Sequence, residues 1–150
     1  MLELIYVPDK RLMEPSDRIM EIDQSIRDLA AGMIEVMRAK NGAGLAAVQV
    51  GIPVRLIVVD TEKGPIAMVN PSVEASSKNE MEAEEGCLSI PGLTLKVRRS
   101  EHIVVRYSSL DGVSYTIPVR GAVARCLQHE IDHIHGILIT EQGYAETKQN

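Results

Sequence analysis

Arg125-Cys126-Leu127-Gln128-His129-Glu130-Ile131-Asp132-His133 is the stretch around which this chain of 150 residues is organised. As a helix it sets His129 and His133 four apart, so both imidazoles leave one face a turn from each other. Two such nitrogens can close on one metal ion at about 2.0–2.1 Å each. Glu130 lies about 100° round the helix, within reach of a water beside that metal without being a ligand. His-Glu-x-x-His thus joins two ligands to a general base, the equipment of metal-dependent hydrolysis. Alone, the same five residues also suit a solvated amphipathic helix, so the rest of the chain decides.

A catalytic metal site needs a third protein ligand and an open position. Cys126 shares the stripe of His129 and His133 but stands about 10 Å along the axis from His133, too far for one ion. It reads as a small apolar wall residue. His135 points about 200° away from His133 round the helix, where it suits the negative end of the helix dipole. Cys87 remains, in Glu84-Glu85-Gly86-Cys87-Leu88-Ser89-Ile90-Pro91. A thiolate presented from a tight, glycine-containing segment suits a metal, which deprotonates the thiol outright.

Working outward, residues 1–15 read as extended, with a turn at Pro8-Asp9. From about Asp23 to Lys40 the apolar residues Ile26, Leu29, Ala30, Met33, Ile34 and Met37 form the stripe of a long amphipathic helix. Asn41-Gly42 ends it, with Gly as the left-handed cap. In Gly42-Ala-Gly44-Leu-Ala-Ala-Val-Gln49 the small residues indicate close approach of a second backbone or a ligand. Gln49 needs partners if buried. Its amide could instead donate to developing negative charge at a site, and packing is the simpler reading.

Val54–Val59, Ile66–Val69, Thr94–Val97, His102–Leu110 and Val113–Val119 read as strands, the last two joined as a hairpin through Asp111-Gly112. Pro118 places the final strand at an edge. The acidic Glu80, Glu82, Glu84 and Glu85 read, at least in the first members, as a solvated loop. The second helix runs from Ala122 to about His135 with Gly136 closing it; a short strand, Ile137 to Ile139, precedes a polar tail expected to fray. Many strands with two separated helices and no βαβ alternation predict an α+β fold.

Composition limits the alternatives. A length of 150 residues predicts one domain over 1–150. With no Trp and no Phe, the core must be built from Ile, Leu, Val, Met and Ala. A net charge of −5 and no basic cluster argue against an electrostatic nucleic-acid footprint, so no nucleic-acid partner is expected. No apolar run approaches the roughly 18 residues of a membrane span, and the acidic start is no secretory or transit segment. Cys87 and Cys126 are the only cysteines, which fits a reducing, cytoplasmic compartment.

Gly42–Gln49, Glu85-Gly86-Cys87-Leu88-Ser89 and Gln128-His129-Glu130-Ile-Asp132-His133 resemble, in order and spacing, the three motifs of the peptide deformylase family. Val7-Pro8-Asp9-x-Arg11-Leu12 and the first helix extend the resemblance to about residue 140. It implies antiparallel sheets around a central metal-binding helix, and removal of the N-formyl group from the formyl-methionine of nascent peptides, with release of formate. It further implies that Cys87, His129 and His133 hold one divalent metal, natively Fe²⁺, with Zn²⁺ or Ni²⁺ able to replace it. Glu130 would be the base and then the acid; the Gln49 amide and the Leu88 N–H would stabilise the oxyanion. Gly44 and Gly86 would flank the bound peptide, and Cys126 and Ala122 would line an apolar pocket for the methionine side chain.

Three departures stand out. Only 17 residues follow His133, where many members add a helix implicated in ribosome docking, so the ribosome is a weaker expectation as partner than the peptide. Thr94 stands where several members have an arginine near the substrate. Arg99 is a candidate to pair with Asp132 and fix the helix. Two rivals share the helix: a zinc metallopeptidase, which would draw its third ligand from downstream acids such as Glu141 or Glu146, and a non-catalytic binding homologue, which need not keep Glu130.

Overall fold

Asp23 starts the first long helix because its carboxylate accepts the N–H of Ile26 at 3.2 Å, a donor that the first turn leaves without a helical acceptor. In the computed structural model, which describes residues 1–144, this helix α1 spans Gln24–Ala39. At its end Gly42 N–H reaches Met37 C=O and Asn41 N–H reaches Arg38 C=O, the paired bonds of a Schellman cap. The left-handed residue is Asn41, at φ +55°, rather than the expected Gly42. Asparagine tolerates that conformation, and Gly42 serves a different need: a Cβ there would lie 2.7 Å from Leu88 Cδ1.

Eight strands follow: β1 Gly44–Ala46, β2 Leu56–Thr61, β3 Gly64–Ser76, β4 Glu80–Cys87, β5 Ile90–Ser100, β6 His102–Ser108, β7 Ser114–Arg120 and β8 Gly143–Tyr144. All pairings between these strands are antiparallel. One sheet has the order β1-β2-β3-β6-β7, the other β4-β5-β8, so Pro118 lies on an edge strand as expected. The helix α2 spans Gly121–Ile134, and a single helical turn, α3, spans Ile139–Gln142.

Burial explains the layering. Along β2, Leu56 and Val58 pack with Leu29, Met33 and Met37 of α1, while Ile57 and Val59 pack with Leu127, Ile131 and Ile134 of α2. Successive strand side chains face opposite sides, so an uninterrupted apolar run is the signature of a strand covered on both faces. A third cluster joins Leu12, Ile90, Leu95, Val97, Leu138 and Ile139. The second helix therefore lies between the five-stranded sheet and the β4-β5 hairpin, held to the latter by Gln128, whose amide exchanges bonds with both backbone groups of Ser100. Each fully buried Leu, Ile or Met contributes about 1.5–3 kcal/mol, which is how a core without Phe or Trp suffices.

The structure corrects several local expectations. The acidic run is a strand, β4, because pairing with β5 from Glu80↔Ser100 to Gly86↔Thr94 satisfies its backbone while Glu80, Glu82 and Glu84 stay exposed. The strand expected to stop at Val69 continues to Ser76. Asn70, at φ +51°, bends it there, and its amide accepts from Ile19 N–H and donates to Ile19 C=O. The opening segment contains a 3₁₀ turn at Lys10–Met13, capped by Asp9. Ile137–Ile139 is not a strand: Gly136, at φ +73°, ends α2, and α3 starts at Ile139. The tail beyond Tyr144, with Glu146, lies outside the described residues. No helix among those described is long and apolar enough to cross a membrane.

Candidate active site

His129 and His133 leave α2 on the same face with their Nε2 atoms 3.2 Å apart. Cys87 Sγ is 3.5 Å from His133 Nε2, and the three ligand atoms all lie within 4.8 Å of one another. Tetrahedral bonds of about 2.1–2.3 Å would separate ligand atoms by roughly 3.4–3.8 Å. Two imidazole lone pairs facing each other repel unless a cation stands between them, so the residues fit a metal ion. His135, at the exposed end of the helix, takes no part.

Cys87 reaches the helix because of an irregularity in the hairpin. β4 and β5 pair regularly to Gly86↔Thr94, and the register then shifts to Cys87↔Ile90. The shift bends the strand end and brings the sulfur, on a half-buried residue, against the helix.

Glu85, two residues earlier, is the functional residue that reading the sequence missed. It is 7% exposed, and Oε1 receives His129 Nδ1 at 2.9 Å and Arg99 Nη2 at 2.9 Å. Oε2 receives Arg99 Nε at 3.0 Å and Arg125 Nη1 at 2.6 Å. A carboxylate on Nδ1 fixes the tautomer that turns Nε2 toward a metal. Burial opposes the Glu85 charge, but His129 and Arg99 outweigh it and hold the carboxyl at a pKa of about 2. Arg99 also binds Asp132 Oδ2 at 2.5 Å, the pairing anticipated from sequence. The place of Glu85 two residues before Cys87 was the one signal in the sequence, and the neighbouring acids Glu80, Glu82 and Glu84 obscured it.

Glu130 is 4% exposed, and its Oε1 has no protein partner among the described residues. A buried polar atom without a partner is costly, so this oxygen is suited to a water or substrate group at the site. Burial chiefly, against the opposing charge of His129, pushes its pKa up to about 7, close to the ideal for a general base near neutrality. Burial also works against a charge on His129, but Glu130, Cys87 and Glu85 raise its pKa to about 10. Burial, then the charges of His129 and Arg99, lower His133 to about 3.

Gln49 is buried, and packing and site chemistry both apply to it. Its Oε1 accepts Ala46 N–H at 3.0 Å, which orients the amide. Nε2 then points at Ser89 Oγ, 3.1 Å away, and at Cys87 Sγ, 3.6 Å away. Ser89, fully buried, was the second partner that sequence reasoning did not identify. A Cβ on Gly44 would lie 2.7 Å from both Cys126 Sγ and Glu130 Oε2, so any side chain there displaces one of them. A Cβ on Gly86 would meet only Leu93 O, at 3.7 Å, so close packing does not demand glycine there.

These residues open on one cavity of about 630 Å³, lined by Gly44, Gln49, Gly86, Cys87, Leu88, Ala122, Cys126, His129 and Glu130. Every sequence-predicted site residue is among them except His133, which is 1% exposed behind His129 and Cys87. Burial raises the pKa of the Cys126 thiol, so it stays neutral and serves as an apolar wall.

The family model described as polypeptide deformylase matches residues 1–149. The chain is similar to the peptide deformylase of Dictyoglomus thermophilum, with 42% identity over 97% of this chain and 94% of that one. It also resembles the crystal structure of peptide deformylase from Thermotoga maritima, at TM-score 0.93 and 34% identity over 98% of this chain and 99% of that one. A peptide deformylase from Synechococcus elongatus in complex with actinonin matches at TM-score 0.92 and 39% identity, over 98% of this chain and 80% of that one.

Proposed function

The chain belongs to the polypeptide deformylase family, a family of metal-dependent enzymes that remove the N-formyl group of formyl-methionyl peptides, and from that premise we propose how its own residues divide the work. Cys87 Sγ, His129 Nε2 and His133 Nε2 would hold one divalent ion, Fe²⁺ as the family resemblance implies. One thiolate and two imidazoles also accept Zn²⁺ or Ni²⁺. When bound, the metal supplies Lewis acidity and lowers the pKa of water towards neutrality.

Glu130 Oε1 takes a proton from the attacking water and delivers it to the methionine nitrogen as the bond to the formyl carbon breaks. Water and the formamide become formate and an ammonium group: one water proton reaches the nitrogen through Glu130, and the second, first left on the formyl oxygen, passes to the released amine through Glu130 or solvent. The Gln49 Nε2–H and the Leu88 N–H donate to the oxygen that gains charge, each worth about 3 kcal/mol where such donors act on a preorganised site. Gly44 and Gly86 leave room for the peptide backbone, and Cys126 and Ala122 border the methionine side chain. One domain, residues 1–150, carries all of this. The Synechococcus elongatus relative is described in complex with actinonin, which supports a ligand-binding site on this fold.

The observation that carries this reading is the close approach of three ligand atoms, all within 4.8 Å, beside the buried, partnerless Glu130 Oε1. The metallopeptidase reading needs a downstream acid as third ligand, and Cys87 occupies that place. The deciding assay is formate release from formyl-Met-Ala-Ser by protein purified with Fe²⁺ and protected from oxygen. Absence of formate under those conditions sinks the proposal.

A further inference from the structure

The ligand set is divided between two elements: Cys87 ends β4, whereas His129 and His133 belong to α2. Their spacing therefore depends on how an edge strand registers against a helix. The β4 strand is the outermost of its sheet and has β5 as its one paired neighbour, so its backbone bonds locate it along β5 but not against α2.

Glu85 gives β4 one bond to the helix, at His129 Nδ1, and Arg125 adds the bonds that reach the strand backbone. It stands one turn before His129 on the same helix face, so Arg125 and His129 grip the same strand. Its Nη1 donates to Glu85 Oε2 at 2.6 Å and to Val97 C=O at 2.9 Å. Its Nη2 donates to Met81 C=O. Met81 and Glu85 lie on β4, and Val97 lies on β5 opposite Ala83, midway between them. One planar fork thus holds three points across the hairpin, a task that matches the fixed donor geometry of guanidinium and not the single point charge of lysine. The residue also borders the substrate cavity, so one side chain serves two neighbouring sites.

We propose that Arg125 is a positioning residue for the metal-ligand set, registering the Cys87 strand against the His129–His133 helix through Glu85, Met81 and Val97. This rests on the ligand reading above. Glu85 retains Arg99 and His129 when Arg125 is replaced, so its buried carboxylate stays compensated and the fold persists. What disappears is the helix's hold on Met81 C=O of β4 and Val97 C=O of β5, leaving β4 held to the helix by the Glu85–His129 bond. The consequence falls on metal retention and on the geometry of the sulfur ligand.

The test uses Co²⁺-loaded full-length protein without substrate, comparing wild type with Arg125→Met and Arg125→Lys. Two readouts are followed: the thiolate-to-cobalt charge-transfer absorption, and the rate of Co²⁺ loss to a chelator. We expect the Met variant to lose the ion on the order of tenfold faster, as loss of an outer partner of a metal ligand does, with an altered charge-transfer band and an unchanged far-ultraviolet circular dichroism spectrum. The Lys variant keeps the charge and loses the fork, so it should follow the Met variant; a Lys variant with wild-type rate and band overturns the register reading in favour of charge alone. A Met variant indistinguishable from wild type overturns the proposal, and should the Met variant not fold, the Lys variant decides by the same criteria. A wild-type protein that binds Co²⁺ with no thiolate band overturns the Cys87 ligand reading itself and the inference with it.

Discussion

Gly44 and Glu130 approach so closely that a Cβ on Gly44 would stand 2.7 Å from Glu130 Oε2 and 3.0 Å from its Cγ. The first motif of the chain and the catalytic helix meet at this contact, with no space for a methyl group. Both belong to buried segments, and a packed interior transmits such an insertion as displacement.

Gly44→Ala is therefore expected to fold with a loss of about 1–3 kcal/mol and to lose activity out of proportion. Moving a catalytic group by about 1 Å can cost on the order of 100-fold. Thermal melting alongside kcat/KM on formyl-Met-Ala-Ser separates the two effects. An alanine variant with undiminished kcat/KM would show that Glu130 has freedom the packing denies it.

At Gln49, acceptor and donor roles can be split. Gln49→Glu retains an oxygen for Ala46 N–H but removes the Nε2 donor. The expected outcome is a fall in kcat of about 100- to 1,000-fold with metal content unchanged. A fall confined to metal content, seen by elemental analysis, would move Gln49 from oxyanion to ligand support.

Glu85→Leu removes the carboxylate shared by Arg99, Arg125 and His129. Breaking a buried ion pair from one side costs about 3–5 kcal/mol because the partners stay buried. Urea denaturation should report a loss of that size. A loss below about 1 kcal/mol would mean that water reaches the arginines.

The metal-free protein should lose stability as pH rises from about 7 to about 8.5. His129 is raised in the folded state to about 10, against about 6.5 unfolded. Folded protein therefore holds a proton that unfolded chain has released, and this contribution is complete below the unfolded value and lost as pH passes through the folded one. Glu130, raised to about 7, acts in the same direction but at lower pH. His133, lowered to about 3, adds stability only as pH climbs towards its unfolded value. Melting temperature should thus decline across the window, and a bound divalent ion, which replaces the proton between the imidazoles, should abolish the decline. A pH-independent melting temperature in the metal-free protein would contradict the raised His129.

The helices were legible because their chemistry is local. The stripe from Ile26 to Met37 required no knowledge of partners, and α1, Gln24–Ala39, follows the expected span of about Asp23 to Lys40 to within a residue. The ligand pair on α2 was legible for the same reason, since a spacing of four is a property of one helix. The elimination of Cys126 and His135 also needed only rise and rotation, and both residues lie where that geometry puts them, at the cavity wall and at the exposed helix end. Strand β4 was not read from the sequence, because the short alternation Glu80-Met81-Glu82-Ala83-Glu84 forms no buried face: Met81 and Ala83 are exposed like the glutamates. Its existence depends on backbone pairing with β5, which side-chain pattern does not encode.

What the sequence by itself determined is the identity of the groups: two imidazoles and a carboxylate on one helix, a thiol beside a glycine, and an amide in a small-residue run. Only the tertiary structure decided how they are charged, oriented and brought together. Glu85 looks like one of several acids until Arg99, Arg125 and His129 converge on it across 14, 40 and 44 residues of chain. Gln49 is ambiguous until Ser89 and Cys87 meet its amide. Burial and long-range pairing set pKa and direction, and both are properties of which surfaces fold against each other rather than of the order of residues along the chain.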